Sequence, residues 1–329
     1  MKRTATFGID IGGTNTTIGL VDAEGKCLYE ISFPTRAQES FSIFFARLAE
    51  KIADIRQRFS AEYDLTGIGA AAPTGNYARG IIEAPSNFKW GKVEFVSLMS
   101  KHYHLPVAIT NDAKAAALGE MRYGAARGMQ NFIVVTLGTG VGSGIVVNGS
   151  LIYGHDGLAG EFGHTTVEQG GRQCGCGRLG CLETYVSSRG ICRSVFELLA
   201  RQTDESALRQ ISFHDLTAET VYHLALRHDA IAIAAFEYTG KILGRALADA
   251  AAYFSPEAII LFGGLAKARD LLFEPTRRHF EGNLLDIYKG KIRLMASDVS
   301  NGSAAVLGAS ALIRSEIAKT GNGKTLVSN

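Results

Sequence analysis

Three thiols and one imidazole, His164, Cys174, Cys176 and Cys181, fall within eighteen residues of this 329-residue chain. Cys₃His is a standard tetrahedral ligand set for Zn²⁺, and four protein ligands leave the ion no open position, so its role would be structural. Gly170, Gly171, Gly175, Gly177 and Gly180 let the chain wrap around one ion. The CxC and C-x₄-C spacings differ from those of ordinary zinc fingers. A cluster of free or redox-active thiols is therefore the alternative, ranked below metal binding because His164 completes the set. Glu161 and Glu183 flank the cluster and would be held in place by it, while Cys27 and Cys192 read as buried thiols.

A second chemistry is carried by glycine turns. Phosphate oxygens need backbone N–H donors at close range, and glycine lets the main chain approach that near. Asp10-Ile11-Gly12-Gly13-Thr14-Asn15 places a carboxylate suited to a water of Mg²⁺ beside amides suited to phosphate. Gly138-Thr139-Gly140 adds a hydroxyl donor, and Gly263-Gly264 leaves room for an adenine and its ribose. Any one of these alone reads as a plain β-turn. Three at strand ends, with Asn111-Asp112 between them, point to nucleotide binding. Gly175-Cys176-Gly177-Arg178-Leu179-Gly180 matches GxGxxG, but no strand precedes it, so a dinucleotide fold is excluded. Gly323-Lys324-Thr325 imitates the end of a P-loop, but the first glycine of that motif would fall on Ala318.

These groups need elements to position them. Alternating apolar residues predict strands at 4–11, 16–21 and 27–33, followed by a helix carrying Phe41, Phe44, Phe45, Leu48, Ile52, Ile55 and Phe59 at helical spacing. Residues 67–72 and 107–110 read as strands, and 113–123 as a helix. Asn111 and Asp112 thus stand where a strand ends and a helix begins, the edge at which open α/β sheets bind ligands. Asp112 is a candidate general base, with a helix N-cap as its structural alternative. Strand, glycine turn, strand recurs at 132–147, a weak internal duplication with one copy per domain. A long helix at 230–254, a strand at 258–262 and a last helix at about 303–318 follow, and the polar tail 320–329 reads as disordered. Trp90, beside Phe88 and Lys89, is a sugar-stacking candidate whose ordinary alternative is a core aromatic.

Composition narrows the class. Lys plus Arg (34) nearly balances Asp plus Glu (32), which disfavours a nucleic-acid surface. No stretch approaches the roughly 18 apolar residues that span a bilayer, and the N-terminus lacks a signal-peptide core. Five cysteines, three of them clustered, do not form a secreted disulfide framework, so a reducing cytoplasm is expected.

In combination and order, the Asp10–Asn15 turn, Asn111-Asp112, Leu137-Gly138-Thr139-Gly140-Val141-Gly142, Glu161-Phe162-Gly163-His164 and the Cys174–Glu183 motif resemble the ROK family of sugar kinases and repressors. The resemblance covers residues 4 to about 316. It implies an α/β, two-lobed actin-like (ribonuclease H-like) ATPase fold with an interlobe cleft, ATP with Mg²⁺, structural Zn²⁺, and phosphorylation of a hexose at its 6-hydroxyl. By motif, Asp112 matches the catalytic base. Asn87, Asn111, Glu161, His164 and Glu183 match sugar ligands, and His164, Cys174, Cys176 and Cys181 match the zinc set. The expected lobes are 1–113, completed by a helix at about 300–318, and 114–299. The cysteine motif looks most like the glucokinase branch, which makes glucose the leading substrate. N-acetylmannosamine, N-acetylglucosamine, fructose, mannose and allose stand behind it, as does a catalytically silent sugar sensor. Repressor members carry a helix-turn-helix before the first glycine turn, which here begins at residue 10, so a kinase is expected. The family further implies a homodimer, and the charge balance and lack of a long apolar stretch predict no nucleic-acid or membrane partner.

Overall fold

The computed structural model describes residues 2–83, 88–299 and 303–321. Asn87 lies outside the described residues. Two compact units divide the chain.

The first unit comprises Met1–Gly128, Leu151–Ala159 and Asp298–Asn329. Its elements are β1 (Arg3–Ile11), β2 (Asn15–Asp22), β3 (Cys27–Pro34), α1 (Phe41–Phe59), β4 (Tyr63–Ala71), the short pair β5 (Gly75–Asn76) and β6 (Ile81–Ile82), α2 (Phe95–Tyr103), β7 (Val107–Thr110) and α3 (Asp112–Tyr123). The main sheet runs β3-β2-β1-β4-β7, antiparallel through β1–β3 and parallel from β1 to β4 to β7. Successive side chains of a strand point to opposite faces, and β1 separates its packing accordingly. Ala5, Phe7, Ile9 and Ile11 join a core with Phe44, Leu48 and Ile52 of α1 and Phe95 and Met99 of α2.

The opposite face of β1 carries Thr6 and Gly8 and meets the C-terminal helix, α9 (Ser303–Gly321). Thr6 and Ser310 share a buried hydrogen bond of 2.8 Å. A Cβ on Gly8 would lie 2.0 Å from the carbonyl oxygen of Val306, and one on Gly69 1.8 Å from that of Ala309. The helix backbone therefore lies directly on the sheet, which only glycine permits. Gly308 makes the same approach to Ala115 of α3. Trp90 belongs to the core, 4.5 Å from the ring of Phe44 and 4.4 Å from that of Phe88, not to a sugar platform.

The second unit comprises Met129–Ser150 and Gly160–Ser297. It holds β8 (Phe132–Leu137), β9 (Val141–Val147), β10 (Ser150–Leu151, whose last residue is counted with the first unit), α4 (Glu183–Val186), α5 (Ser188–Arg201), α6 (Ala218–Ala225), α7 (Ala230–Phe254), β11 (Ala258–Phe262), α8 (Asp270–Asn283) and β12 (Arg293–Ala296). Its sheet runs β10-β9-β8-β11-β12, with β8 antiparallel to β9 and parallel to β11. Each unit thus contains a hairpin closed by a glycine turn and continued by a parallel strand.

Several boundaries differ from expectation. A division after residue 113 would cut α3, but α3 packs on α9 through Gly308 and Gly119 and stays in the first unit. Residues 151–159 return to that unit, and the final return begins at Asp298. The expected tail overlaps α9, which continues to Gly321, and residues 322–329 lie outside the described set. The glycine turn after β8 is shorter than expected because β9 begins at Val141, paired with Leu137. Among the described residues, no helix is long and apolar enough to cross a membrane.

Candidate active site

In the first unit, the parallel strands bring the candidate residues to one sheet edge. Asp10 pairs with Ala71, and Ala71 with Thr110, so Asp10 and the end of β7 stand about 10 Å apart, two strand spacings. The turn after β1 is closed by Gly12 N–H donating to the Asn15 carbonyl at 2.9 Å, and Gly13, Thr14 and Asn15 are exposed. Thr35, which sequence reasoning missed, braces it. Its hydroxyl donates to the Gly12 carbonyl at 2.7 Å, and its N–H donates to the Thr14 carbonyl at 2.8 Å. A threonine 23 residues away carries no local motif that would have revealed it.

Asn111 is the N-cap of α3, its Oδ1 accepting from Lys114 N–H at 2.8 Å. The sequence offers that role to Asp112, which is instead the first helical residue and accepts from Ala113 N–H at 2.8 Å. Asp112 is exposed by its accessible surface, yet protein atoms crowd its carboxyl closely enough that lost hydration raises its pKa. The Ala113 amide and the Lys114 ammonium oppose that shift without cancelling it. Asp10 is pushed up to about 7, first by burial, then by the carboxylates of Asp112 and Glu30. The Asp112 carboxylate thus adds to the cost of ionising Asp10, a cost that a nearby divalent cation would offset.

The repulsion has a consequence for stability. Asp10→Asn is expected to raise the Tm of the metal-free protein at neutral pH by a few degrees, on the order of 1 kcal/mol, because it removes a half-buried negative charge. Differential scanning calorimetry in EDTA measures this, and a lower Tm would show that the carboxylate is compensated.

In the second unit, the β8–β9 turn is closed by Gly138 N–H donating to the Gly140 carbonyl at 3.0 Å, and the Gly138 carbonyl accepts from Ser188 N–H at 2.8 Å. Glu183 joins this turn to the cysteine cluster. Its Oε2 accepts from Val141 N–H at 2.9 Å, and its Oε1 lies 3.9 Å from Cys174 Sγ. A Cβ on Gly140 would meet Oε2 at 2.5 Å, so a larger residue there would push this carboxylate aside.

The ligand atoms of His164, Cys174, Cys176 and Cys181 all lie within 4.8 Å of one another. His164 Nδ1 is 3.7 Å from Cys174 Sγ, and Cys176 Sγ is 3.6 Å from Cys181 Sγ. Tetrahedral zinc with Zn–S near 2.3 Å separates its ligands by about 3.8 Å, so the set fits the ion. With Nδ1 turned into the cluster, Nε2 of His164 is left for another partner. Burial and the neighbouring thiols push Cys181 up to about 12, a cost that a bound cation removes. Arg172 fastens the cluster's loop. It donates to Glu197 at 2.7 and 2.8 Å and to the carbonyls of Thr184 and Gly190, and its guanidinium stacks on Tyr185 at 4.4 Å. Glu161 is exposed at the start of the turn that carries His164.

Gly263 (φ +106) and Gly264 follow β11, and Gly263 lies so close to β8 that a Cβ would meet the Leu137 carbonyl oxygen at 2.6 Å. Beside Gly264 lies a cavity of about 470 Å³, lined by Ser188, Thr217, Tyr222, Phe236 and Leu265. A second cavity of about 690 Å³ includes Thr139, Glu183 and Ser188. Both fall within the usual range for small-molecule sites. The contributions of α5 and α6 carry no motif that would have revealed them, and in the structure Ser187 and Thr217 are the N-caps of these helices.

The chain resembles known proteins over nearly its whole length. The ROK family profile matches residues 6–316. The chain is 34% identical to a glucokinase of Halalkalibacterium halodurans over 313 residues, 94% of each chain. A ROK family glucokinase from Streptomyces griseus, solved in complex with glucose and AMPPNP, superposes with a TM-score of 0.78 at 30% identity, covering 94% of this chain and 99% of its own. A ROK family transcriptional regulator, a homolog of the E. coli MLC protein, superposes with a TM-score of 0.85 at 26% identity, covering 95% of this chain and 78% of its own. The architecture is the actin-like ATPase fold of the ROK kinases. With a profile match over nearly its whole length and glucokinase relatives matched end to end, the chain belongs to the ROK family.

Proposed function

We propose that this protein is an ATP-dependent hexose kinase, a glucokinase, that transfers the γ-phosphoryl group of ATP to the 6-hydroxyl of glucose. The observation that carries the reading is Asp112, a carboxyl of raised pKa at the sheet edge and the head of α3, in a chain matched end to end by glucokinases. A sugar hydroxyl is a weak nucleophile at neutral pH, and Asp112 accepts its proton as the O–P bond forms. Asn111 offers its side-chain amide to the sugar while Oδ1 caps α3. Glu161, Glu183, His164 through Nε2, and Asn87 complete the hexose ligands.

The turns at Gly12, Gly13, Thr14 and Asn15 and at Gly138, Thr139 and Gly140 bind phosphate through their amides. The cavity beside Gly263 and Gly264 holds the adenosine, with Tyr222 and Phe236 as apolar walls. Asp10 would hold Mg²⁺ through water, and the ion would neutralise charge on the phosphates. His164, Cys174, Cys176 and Cys181 would hold a structural Zn²⁺, which requires the reduced thiols of a cytoplasmic protein. A homodimer is the assembly we expect, to be measured by light scattering.

The likeness to a regulator makes a silent sugar sensor the competing reading. Coupled ADP-release assays over glucose, mannose, allose, fructose, N-acetylglucosamine and N-acetylmannosamine separate the two. The expected result is turnover with the highest kcat/KM on glucose. Hexose binding without ADP release on any sugar would refute the kinase reading, and a different best substrate would move only the choice of hexose.

A further inference from the structure

Lys114 stands in the first turn of α3 with 2% of its surface exposed. A buried ammonium is costly unless its protons find acceptors, so its surroundings identify what it holds. Nζ donates to the Gly157 carbonyl at 3.2 Å and lies 6.0 Å from the centre of the Tyr153 ring. Both residues belong to 151–159, the short segment that leaves the second unit after Ser150 and is packed with the first.

Three more contacts fasten the same segment. Asn76 Nδ2 donates to the Asp156 carbonyl at 2.8 Å. Tyr77 stacks on Tyr153 with centroids 4.2 Å apart and planes 18° from parallel, and its hydroxyl donates to the buried carboxylate of Glu316. Gly157 (φ +87) approaches Asn76 so closely that a Cβ would lie 2.5 Å from Oδ1. The next carbonyl after the segment, that of Gly160, accepts from Ser143 Oγ at 2.7 Å in the second unit, and Glu161 and His164 follow directly. Burying this ammonium costs hydration that an apolar side chain would not lose.

We propose that Lys114 is a positioning residue. By pinning the Gly157 carbonyl to the first turn of the helix headed by Asp112, it fixes the segment from which Glu161 and His164 are presented. The proposal rests on the hexose-kinase reading, in which those two residues hold the sugar.

The test compares Lys114→Met and Asn76→Ala with the wild type. Hexose Kd is measured by calorimetry, KM for ATP by ADP release, and amide hydrogen exchange over 151–159 by mass spectrometry. The expected result is a hexose Kd weakened about tenfold or more, KM for ATP within about twofold, and faster exchange confined to 151–159 and its contacts. A hexose Kd within twofold of wild type in a folded variant overturns the proposal. If Lys114→Met does not fold, Asn76→Ala decides by the same criterion, since it loosens the segment from outside α3. A wild type that binds hexose without turnover defeats the kinase reading alone, because the calorimetric comparison still decides the role of Lys114. A wild type that binds no hexose defeats both.

Discussion

Asp112→Asn is expected to lower kcat by a factor of about 10² to 10⁴ while leaving hexose affinity nearly unchanged. The substitution keeps the shape of the side chain and the Oδ1 that accepts from Ala113 N–H, so the head of α3 is preserved. What it removes is the group that takes the proton of the attacking hydroxyl. The raised pKa strengthens the case, because a carboxylate poorly hydrated in its ionised form is a stronger base than a solvated one.

The sign of the pH dependence follows. The base works ionised, so kcat/KM falls as pH drops through its folded pKa, and that limb lies above the ordinary aspartate value near 4. Lys114 on α3 opposes the shift at Asp112, while Asp10 on β1 is raised by Asp112 and by Glu30 on β3. The residual activity of the Asn variant should lack the limb. Steady-state kinetics from about pH 5 to 8 measure both effects, and near-normal turnover in the variant would remove Asp112 as the base.

Removal of zinc is expected to produce the second large effect, in stability and in sugar binding together. Without the ion, three thiols and an imidazole within 4.8 Å have no shared partner, and burial already holds Cys181 against ionisation. The loop then depends on Arg172 and a few backbone bonds. A loss of a few kcal/mol corresponds to a fall in Tm of about 10 °C for a unit of this size. Hexose affinity should weaken at least about tenfold, because His164 is oriented through Nδ1 and Glu183 stands 3.9 Å from Cys174 Sγ. Cys181→Ser should reproduce both changes. Full hexose affinity in protein shown by elemental analysis to be zinc-free would uncouple the metal from the sugar.

Much of the candidate site's local geometry was legible because neighbouring residues set it. A glycine turn after a strand, an Asn-Asp pair at a strand–helix junction and four closely spaced ligand residues are set by spacing along a few turns of chain. The same holds for α1 and α7, whose apolar residues recur at helical intervals over 19 and 25 residues. The short α2 and the polar-faced α5 and α8 went unread, since brief or interrupted periodicity does not separate a helix from a loop.

Residue types and their spacing specify a set of reactive groups and the turns that hold them. The tertiary structure decided which of those groups are buried and what they answer to. Trp90 became core because α1 lies over it, and Asn111 rather than Asp112 became the cap because of the backbone angles at the end of β7. Lys114 lost its water to a segment more than forty residues away, and α3 joined the first unit because Gly308, nearly two hundred residues on, admits its backbone. Burial and charge–charge cost depend on neighbours in space, and for these residues the neighbours come from distant parts of the chain.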